Sequence, residues 1–216
     1  MKLQKLGGYA SIVSACITVV IVIILFSLFY EFTGLDIYDP VKMIAVYQTS
    51  TMAFWVCYIL GILTAILVLL IVLALEERMR SDAPHLMRLA VIAASAFSAL
   101  YLTAMIGGFF RNELLAATND MSAFRAFLVL HELLGGAATN ALGWGFLLIG
   151  LVAIRTHRLP QILGYIILIF GIGSILQFVF SVSQFIPGIV INALLSFIVF
   201  VWLGIYLIRN PEPDIE

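Results

Sequence analysis

The stretch HELLGGAATNALGWGFLLIGLVAIRTHRLPQILGYIILIFG, from His131 to Gly171, decides the class of fold. It opens on His131 and Glu132 and runs apolar through Gly143, Trp144 and Gly150. It then turns through Arg155-Thr156-His157-Arg158-Leu159-Pro160 and resumes as a second apolar run. An apolar run of about 20 residues is what a helix needs to cross a hydrocarbon core about 30 Å thick. Basic residues hold a turn at headgroup level, and proline is pre-set for the first position of a helix. The stretch therefore reads as a membrane-crossing helix, a tight basic turn and a returning helix.

The rest of the chain has the same character, with 63% hydrophobic and 11% charged residues, a balance that excludes a soluble globule. Six apolar runs are long enough to span: Leu6 to Tyr30, Ala53 to Leu75, Leu89 to Phe110, Leu128 to Ile154, Leu163 to Ile186 and Ile189 to Ile208. They are continuous, whereas strands of a membrane barrel alternate apolar and polar residues. The expected fold is all-α: a single polytopic membrane helix bundle over residues 1–216, with six transmembrane helices.

Basic residues near span ends are retained on the cytoplasmic side. Lys2, Lys5, Arg78, Arg80, Arg88, Arg155, Arg158 and Arg209 fall on one side of six alternating spans, and only Lys42, Arg111 and Arg125 on the other. Both termini are thus expected in the cytoplasm and the protein in the plasma membrane. The net charge of −1 gives no case for nucleic acid, and the tail from Asn210 to Glu216 is too short to fold.

Lys2 and Lys5 before an apolar run resemble a signal peptide, but the run is longer than the roughly 7 to 15 residues of a cleaved signal. Val13-Ser14-Ala15-Cys16 also reads as a lipoprotein cleavage box. A lipid anchor would duplicate the apolar run from Ile17 to Tyr30, so a retained span is expected. Cys16 and Cys57 lie at different depths, too far apart for a disulfide, and are expected as free thiols.

In the loop from Glu31 to Thr51, Asp39-Pro40 starts a short helix to about Gln48. It is read as an interfacial connector in preference to a lid. Glu76 to Pro84 reads as a solvated turn without chemistry, Ser81 or Asp82 capping the third span. Small and weakly polar residues form one stripe per span, which lets helices approach closely in lipid. On the third span the stripe is Ala93, Ala96, Ala99, Thr103 and Gly107, ending at Arg111.

The strongly polar residues are unevenly spread in depth. Arg111, Arg125, His131, Glu132, Gln177, Gln184 and Asn192 all fall in the outer half, and the cytoplasmic half is almost pure hydrocarbon. This suggests an outer cavity lined by Arg111, His131, Glu132, Gln177, Gln184 and Asn192, floored by Thr139 and Asn140, for a lipid or small apolar ligand. Glu132 should turn into the bundle and bond Arg111 or a neighbouring polar side chain, the cost of a lone desolvated carboxylate being high. His131, about 100° round the helix, should point elsewhere.

His131, Gly143, Gly150, Arg155, the Leu159-Pro160 turn, Gly164, Gly171 and Gly173 together resemble domain of unknown function 4386, a family of multi-span bacterial membrane proteins. The resemblance covers residues 131–177 and implies a helical fold of six or seven spans, with no known activity or cofactor. Members often carry an acidic residue late in the fifth span, where this chain has Gln177.

No catalytic residues, metal site or cofactor are expected. His-Glu-x-x-His would need a second histidine where Gly135 stands, and no serine sits in a nucleophile elbow. Three readings stay open: a membrane protein binding lipid or an apolar ligand, a small secondary transporter built from three plus three spans, and an enzyme acting at the outer face through His131 and Glu132. Membrane lipids are the expected partners, and a homo-oligomer is left open.

Overall fold

Inside lipid a continuous apolar segment can satisfy its backbone only by closing hydrogen bonds on itself, so each run becomes a helix. The structure, a computed structural model, describes residues 3–30, 40–118, 120–182 and 186–210. Among these are six α-helices and no strand: α1 (Leu3–Tyr30), α2 (Pro40–Met79), α3 (Pro84–Thr118), α4 (Met121–Thr156), α5 (Gln161–Val182) and α6 (Ile186–Arg209). Five are long and apolar enough to cross a membrane. The exception is α5, apolar over the shorter stretch Gln161–Gln177. Its 22 residues rise about 33 Å, close to the same thickness.

Consecutive helices pack side by side, α6 returns to α1, and α2 also touches α4, giving a closed ring. Neighbours run antiparallel, because residues near the start of one helix meet residues near the end of the next. Gly7 lies against Ala74, Gly8 against Ile208, and Gly164 against Ile154. The start of α1, the end of α6, the α2–α3 turn and the α4–α5 turn consequently share one end of the bundle, called here the basic end.

The seam between α4 and α5 is set by glycine. A Cβ on Gly171 would fall 2.5 Å from the Leu147 nitrogen and 2.9 Å from the Gly143 oxygen, and one on Gly150 2.7 Å from the Leu168 nitrogen. Backbone meets backbone there. Towards the basic end the ring is filled by one apolar core, within which Phe146, Phe170 and Phe200 meet edge to face at 5.1 to 6.0 Å.

α4 ends at a left-handed His157 (φ 56°), whose N–H reaches the Ala153 oxygen at 3.1 Å, and the Gly164 N–H donates to the Pro160 oxygen at 3.0 Å. Pro160 thus stands immediately before the first residue of α5, as its fixed φ favours. Cys16 and Cys57 are free.

Several expectations are corrected. The helix begun at Pro40 does not stop near Gln48 but continues into the second span, with a break in helical geometry at Ser50 (φ −133°, ψ 29°). Nor does it float as a connector. Val46 and Tyr47 are buried with Phe54, Phe124 and Leu128 in a second, smaller core at the end opposite the basic one. Asp39 and the loop before it lie outside the described residues.

On α3, Ala96, Ala99 and Thr103 are exposed, while Met87, Ala90, Ala94, Phe97, Ser98 and Ala104 face inward. Both faces carry small residues. A bond from Ser98 Oγ to the Ala65 oxygen (2.8 Å) belongs to the inward one. Among the described residues no backbone N–H of α3 donates to the Ser81 or Asp82 side chain, and the Asp82 carboxylate instead takes two hydrogen bonds from Arg158, Nε at 2.5 Å and Nη2 at 3.1 Å.

The turn read as solvated also holds a buried cation. Arg78 is 7% exposed. It donates to the oxygens of Asn210 (2.7 Å) and Arg158 (3.2 Å), to Gln4 Oε1 (3.4 Å) and to the Tyr206 hydroxyl (3.2 Å), with its guanidinium over the Tyr206 ring. One side chain joins α1, α2, the α4–α5 turn and the end of α6.

Candidate functional site

The site begins with a missing side chain on α3. A Cβ on Gly108 would meet Tyr58 Cε1 at 2.9 Å and the His131 ring at 3.0 Å, so glycine lets a tyrosine of α2 and a histidine of α4 close on the same point of α3. His131 Nδ1 lies 2.8 Å from the Ala104 oxygen. A carbonyl can only accept, so Nδ1 carries the proton and the lone pair of the neutral ring is on Nε2.

One turn further along α3 the consecutive polar residues Arg111, Asn112 and Glu113 divide their work. Arg111 Nε donates to Asn112 Oδ1 at 2.9 Å, and Asn112 Nδ2 donates to the Tyr58 hydroxyl at 2.8 Å. The Tyr58 hydroxyl is also within reach of the Arg111 guanidinium. Glu113 accepts a short hydrogen bond from the Tyr47 hydroxyl, tying the segment before the Ser50 break to α3.

Arg111 is 5% exposed, with its guanidinium 5.3 Å from the centre of the Phe124 ring. Among the described residues no carboxylate stands within ion-pair distance of it. The structure thus places a buried cation in a layer of hydroxyl, amide and imidazole groups, between the small core of Val46 and Phe124 and the large core beyond.

The expected pairing of Glu132 with Arg111 is not formed. Glu132 is half-buried and has no hydrogen bond or ion pair among the described residues, and His131 is the residue turned towards α3. The reason is the close approach at Gly108, which draws the His131 ring onto α3 and so rotates the next residue away. Arg125 is exposed.

The remaining candidates gather elsewhere. Asn192 Nδ2 donates to Gln177 Oε1 at 3.1 Å and to Ser174 Oγ at 3.4 Å, joining α6 to α5. Its Oδ1 is buried without a hydrogen bond among the described residues. Asn140 Nδ2 reaches the Ile175 oxygen at 3.4 Å, and Thr139 bonds back to its own helix. Gln184 lies outside the described residues. Two clusters therefore stand where one lining was expected, Arg111 with His131 between α3 and α4, and Gln177 with Asn192 between α5 and α6.

Sequence reasoning missed Tyr58, Asn112 and the Tyr47–Glu113 bond. The signal was the run Arg111-Asn112-Glu113, since three polar residues in succession cannot all share one face of a helix. Among the described residues no three His, Cys, Asp or Glu side chains come together as metal ligands would. The chain matches no protein-family model, no curated protein and no solved structure.

Proposed function

We propose that this is a plasma-membrane protein of six spans, both termini cytoplasmic, that binds an amphiphile through the polar layer at Arg111. The observation that carries the reading is a guanidinium 5% exposed with no carboxylate partner among the described residues. An uncompensated buried charge costs several kcal/mol, so an arriving anionic group would be bound on the strength of that deficit. The Tyr58 hydroxyl, the Asn112 amide and the His131 ring supply donors and acceptors that orient its head.

The likeness to domain of unknown function 4386 belongs to the same proposal. Its glycines 143, 150, 164 and 171 have a packing role in the α4–α5 seam, and Gly173 makes room for Asn192. The basic end, with Arg78, Arg80, Arg155, Arg158 and Arg209, would face the cytoplasm.

Native mass spectrometry of the detergent-purified protein tests the binding reading. The wild type should carry a bound amphiphile, and Arg111→Gln should lose it by about tenfold or more, the equivalent of one charge-assisted hydrogen bond. Equal retention by the two proteins would overturn the assignment to Arg111. A periplasmic-only reporter active after Glu216 would overturn the topology.

A further inference from the structure

α2 is longer than its crossing requires. From Thr51 to Met79 it already rises about 40 Å, more than the hydrocarbon core, so the stretch from Pro40 to Thr49 is surplus to the span. It is set off from the span at Ser50, where the backbone leaves helical geometry (φ −133°, ψ 29°).

Hydroxyls flank that break. Thr51 Oγ1, from beyond it, donates back to the Tyr47 oxygen at 2.6 Å, and Thr49 Oγ1 donates to the oxygens of Ala45 (2.9 Å) and Val46 (3.1 Å). Bonds of this kind bend a helix. A hydroxyl turns to follow its acceptor, so the angle at Ser50 can change while these carbonyls stay paired. The local chemistry is that of a hinge.

Before the hinge the stretch is one-sided. Ala45, Gln48 and Thr49 are exposed, whereas Val46 and Tyr47 are buried in the small core with Phe54, Phe124 and Leu128. Phe124 is the ring that faces the Arg111 guanidinium at 5.3 Å. Among the described residues one polar bond fixes the stretch to another helix, from the Tyr47 hydroxyl to Glu113, two residues beyond Arg111. Glu113 on α3 and Phe124 on α4 both stand further from the basic end than Arg111 and His131 do. The stretch held to them therefore lies on the side of the polar layer that is away from the basic end.

We propose that the stretch from Pro40 to Thr49 is a lid, hinged at Ser50 and latched by the Tyr47–Glu113 bond, whose opening admits the head of an amphiphile to the layer at Arg111. The amphiphile rests on the reading given above, while hinge and latch rest on the geometry of α2 and α3. Closed, as in this structure, the lid caps the layer from the outer side. Opening about Ser50 withdraws Val46 and Tyr47 from the small core and breaks the bond to Glu113.

The test uses the full chain in detergent and begins without a ligand, by hydrogen–deuterium exchange read by mass spectrometry. Tyr47→Phe keeps the ring in the core and removes only the latch. Exchange over residues 45–50 should rise about tenfold, as for the loss of one hydrogen bond to a charged group, with residues 56–79 unchanged. Glu113→Ala should do the same, and the two substitutions together no more than either alone. Unchanged exchange over residues 45–50, or an equal rise throughout α2, would overturn the proposal. Gating is then read with dodecyl phosphate. Tyr47→Phe should raise its association and dissociation rates together, by about tenfold, and leave the affinity within about twofold, because the latch is lost from the free and the bound closed states alike. A rise in dissociation alone would make Tyr47 a contact of the amphiphile and overturn the lid. Arg111→Gln should abolish binding of dodecyl phosphate and leave exchange over residues 45–50 as in the wild type. A wild type that binds no dodecyl phosphate, with the rise in exchange present in Tyr47→Phe, would overturn the reading at Arg111 and the admission of an amphiphile, and leave the hinge and its latch.

Discussion

Arg78 and Arg111 are both buried, 7% and 5% exposed, and both lie towards the ends of long apolar helices, yet they are partnered in opposite ways. Arg78 donates to four acceptors on three other segments, α1, the α4–α5 turn and the end of α6. Arg111 bonds its own neighbour Asn112 at 2.9 Å, which adds no connection between helices. Among the described residues its links to α2 all run to one group, the Tyr58 hydroxyl, directly and through Asn112. A guanidinium has five N–H donors, so the first has most of its capacity used by the fold and the second retains much of it. The difference separates a charge that ties several segments together from one with few partners among the described residues, and burial alone does not distinguish them.

The largest expected effect comes from treating the first arginine as a staple. Arg78→Met removes the donor to Gln4, Tyr206 and the carbonyls of Arg158 and Asn210 at once, and should cost about 3–5 kcal/mol of unfolding free energy, the range for stranding buried polar partners. Chemical unfolding in detergent followed by circular dichroism measures it, and a loss below 1 kcal/mol would break the comparison. Next in size is the glycine seam. In Gly171→Ala the new methyl meets only backbone atoms, Leu147 N and Cα and Gly143 O, so α4 and α5 must separate, at about 1–3 kcal/mol. If that variant unfolded like the wild type, the close approach of α4 and α5 would be refuted.

How much of this could be read from the sequence follows from which forces act locally. The helices could be read, because an apolar run in lipid has no other backbone solution, and so could the Pro160 turn, fixed by proline itself. The inward face of α3 could not, because Ala96 and Ala99 look as suitable for packing as Ala90 and Ala94. The choice rests on long-range events such as Ser98 reaching Ala65. Arg78 was misread for the same reason. Its partners lie 74 to 132 residues away, and nothing in Glu76 to Pro84 announces them. At the candidate site Arg111 and His131 were both singled out, but His131 was expected to point elsewhere, whereas its ring lies on α3 beside Gly108. The role given to Glu132 failed because a glycine on another helix sets the rotation of α4.

A smaller effect on stability is expected at the second arginine. Arg111→Met leaves Asn112 with its bond to Tyr58, strands no carboxylate among the described residues and relieves the buried charge, so the protein should become harder to unfold, by about 1–2 kcal/mol. The same substitution at the two positions is the cleanest form of the comparison. A loss at Arg111 equal to that at Arg78 would make it a second staple and remove the case for a ligand there.

The smallest effect belongs to the exposed ion pair beside Arg78. The hydrogen bonds from Arg158 hold the Asp82 carboxyl below its usual range, so the folded protein binds that proton less readily than the unfolded chain. A folded value below the unfolded one means that the stabilisation is present at pH above the unfolded value, roughly 4, and is lost as pH falls through the folded value. Asp82→Asn should therefore lower the unfolding midpoint slightly at pH 7, with the gap to the wild type constant down to about pH 5 and closing below about pH 4. Since the Arg158 and Asp82 side chains are 40% and 29% exposed, the gap should also shrink in high salt. The loss from Arg78→Met, buried and bonded to neutral acceptors, should persist there. A gap that stayed open in strong salt would move Asp82 and Arg158 from the surface of the basic end into its buried network.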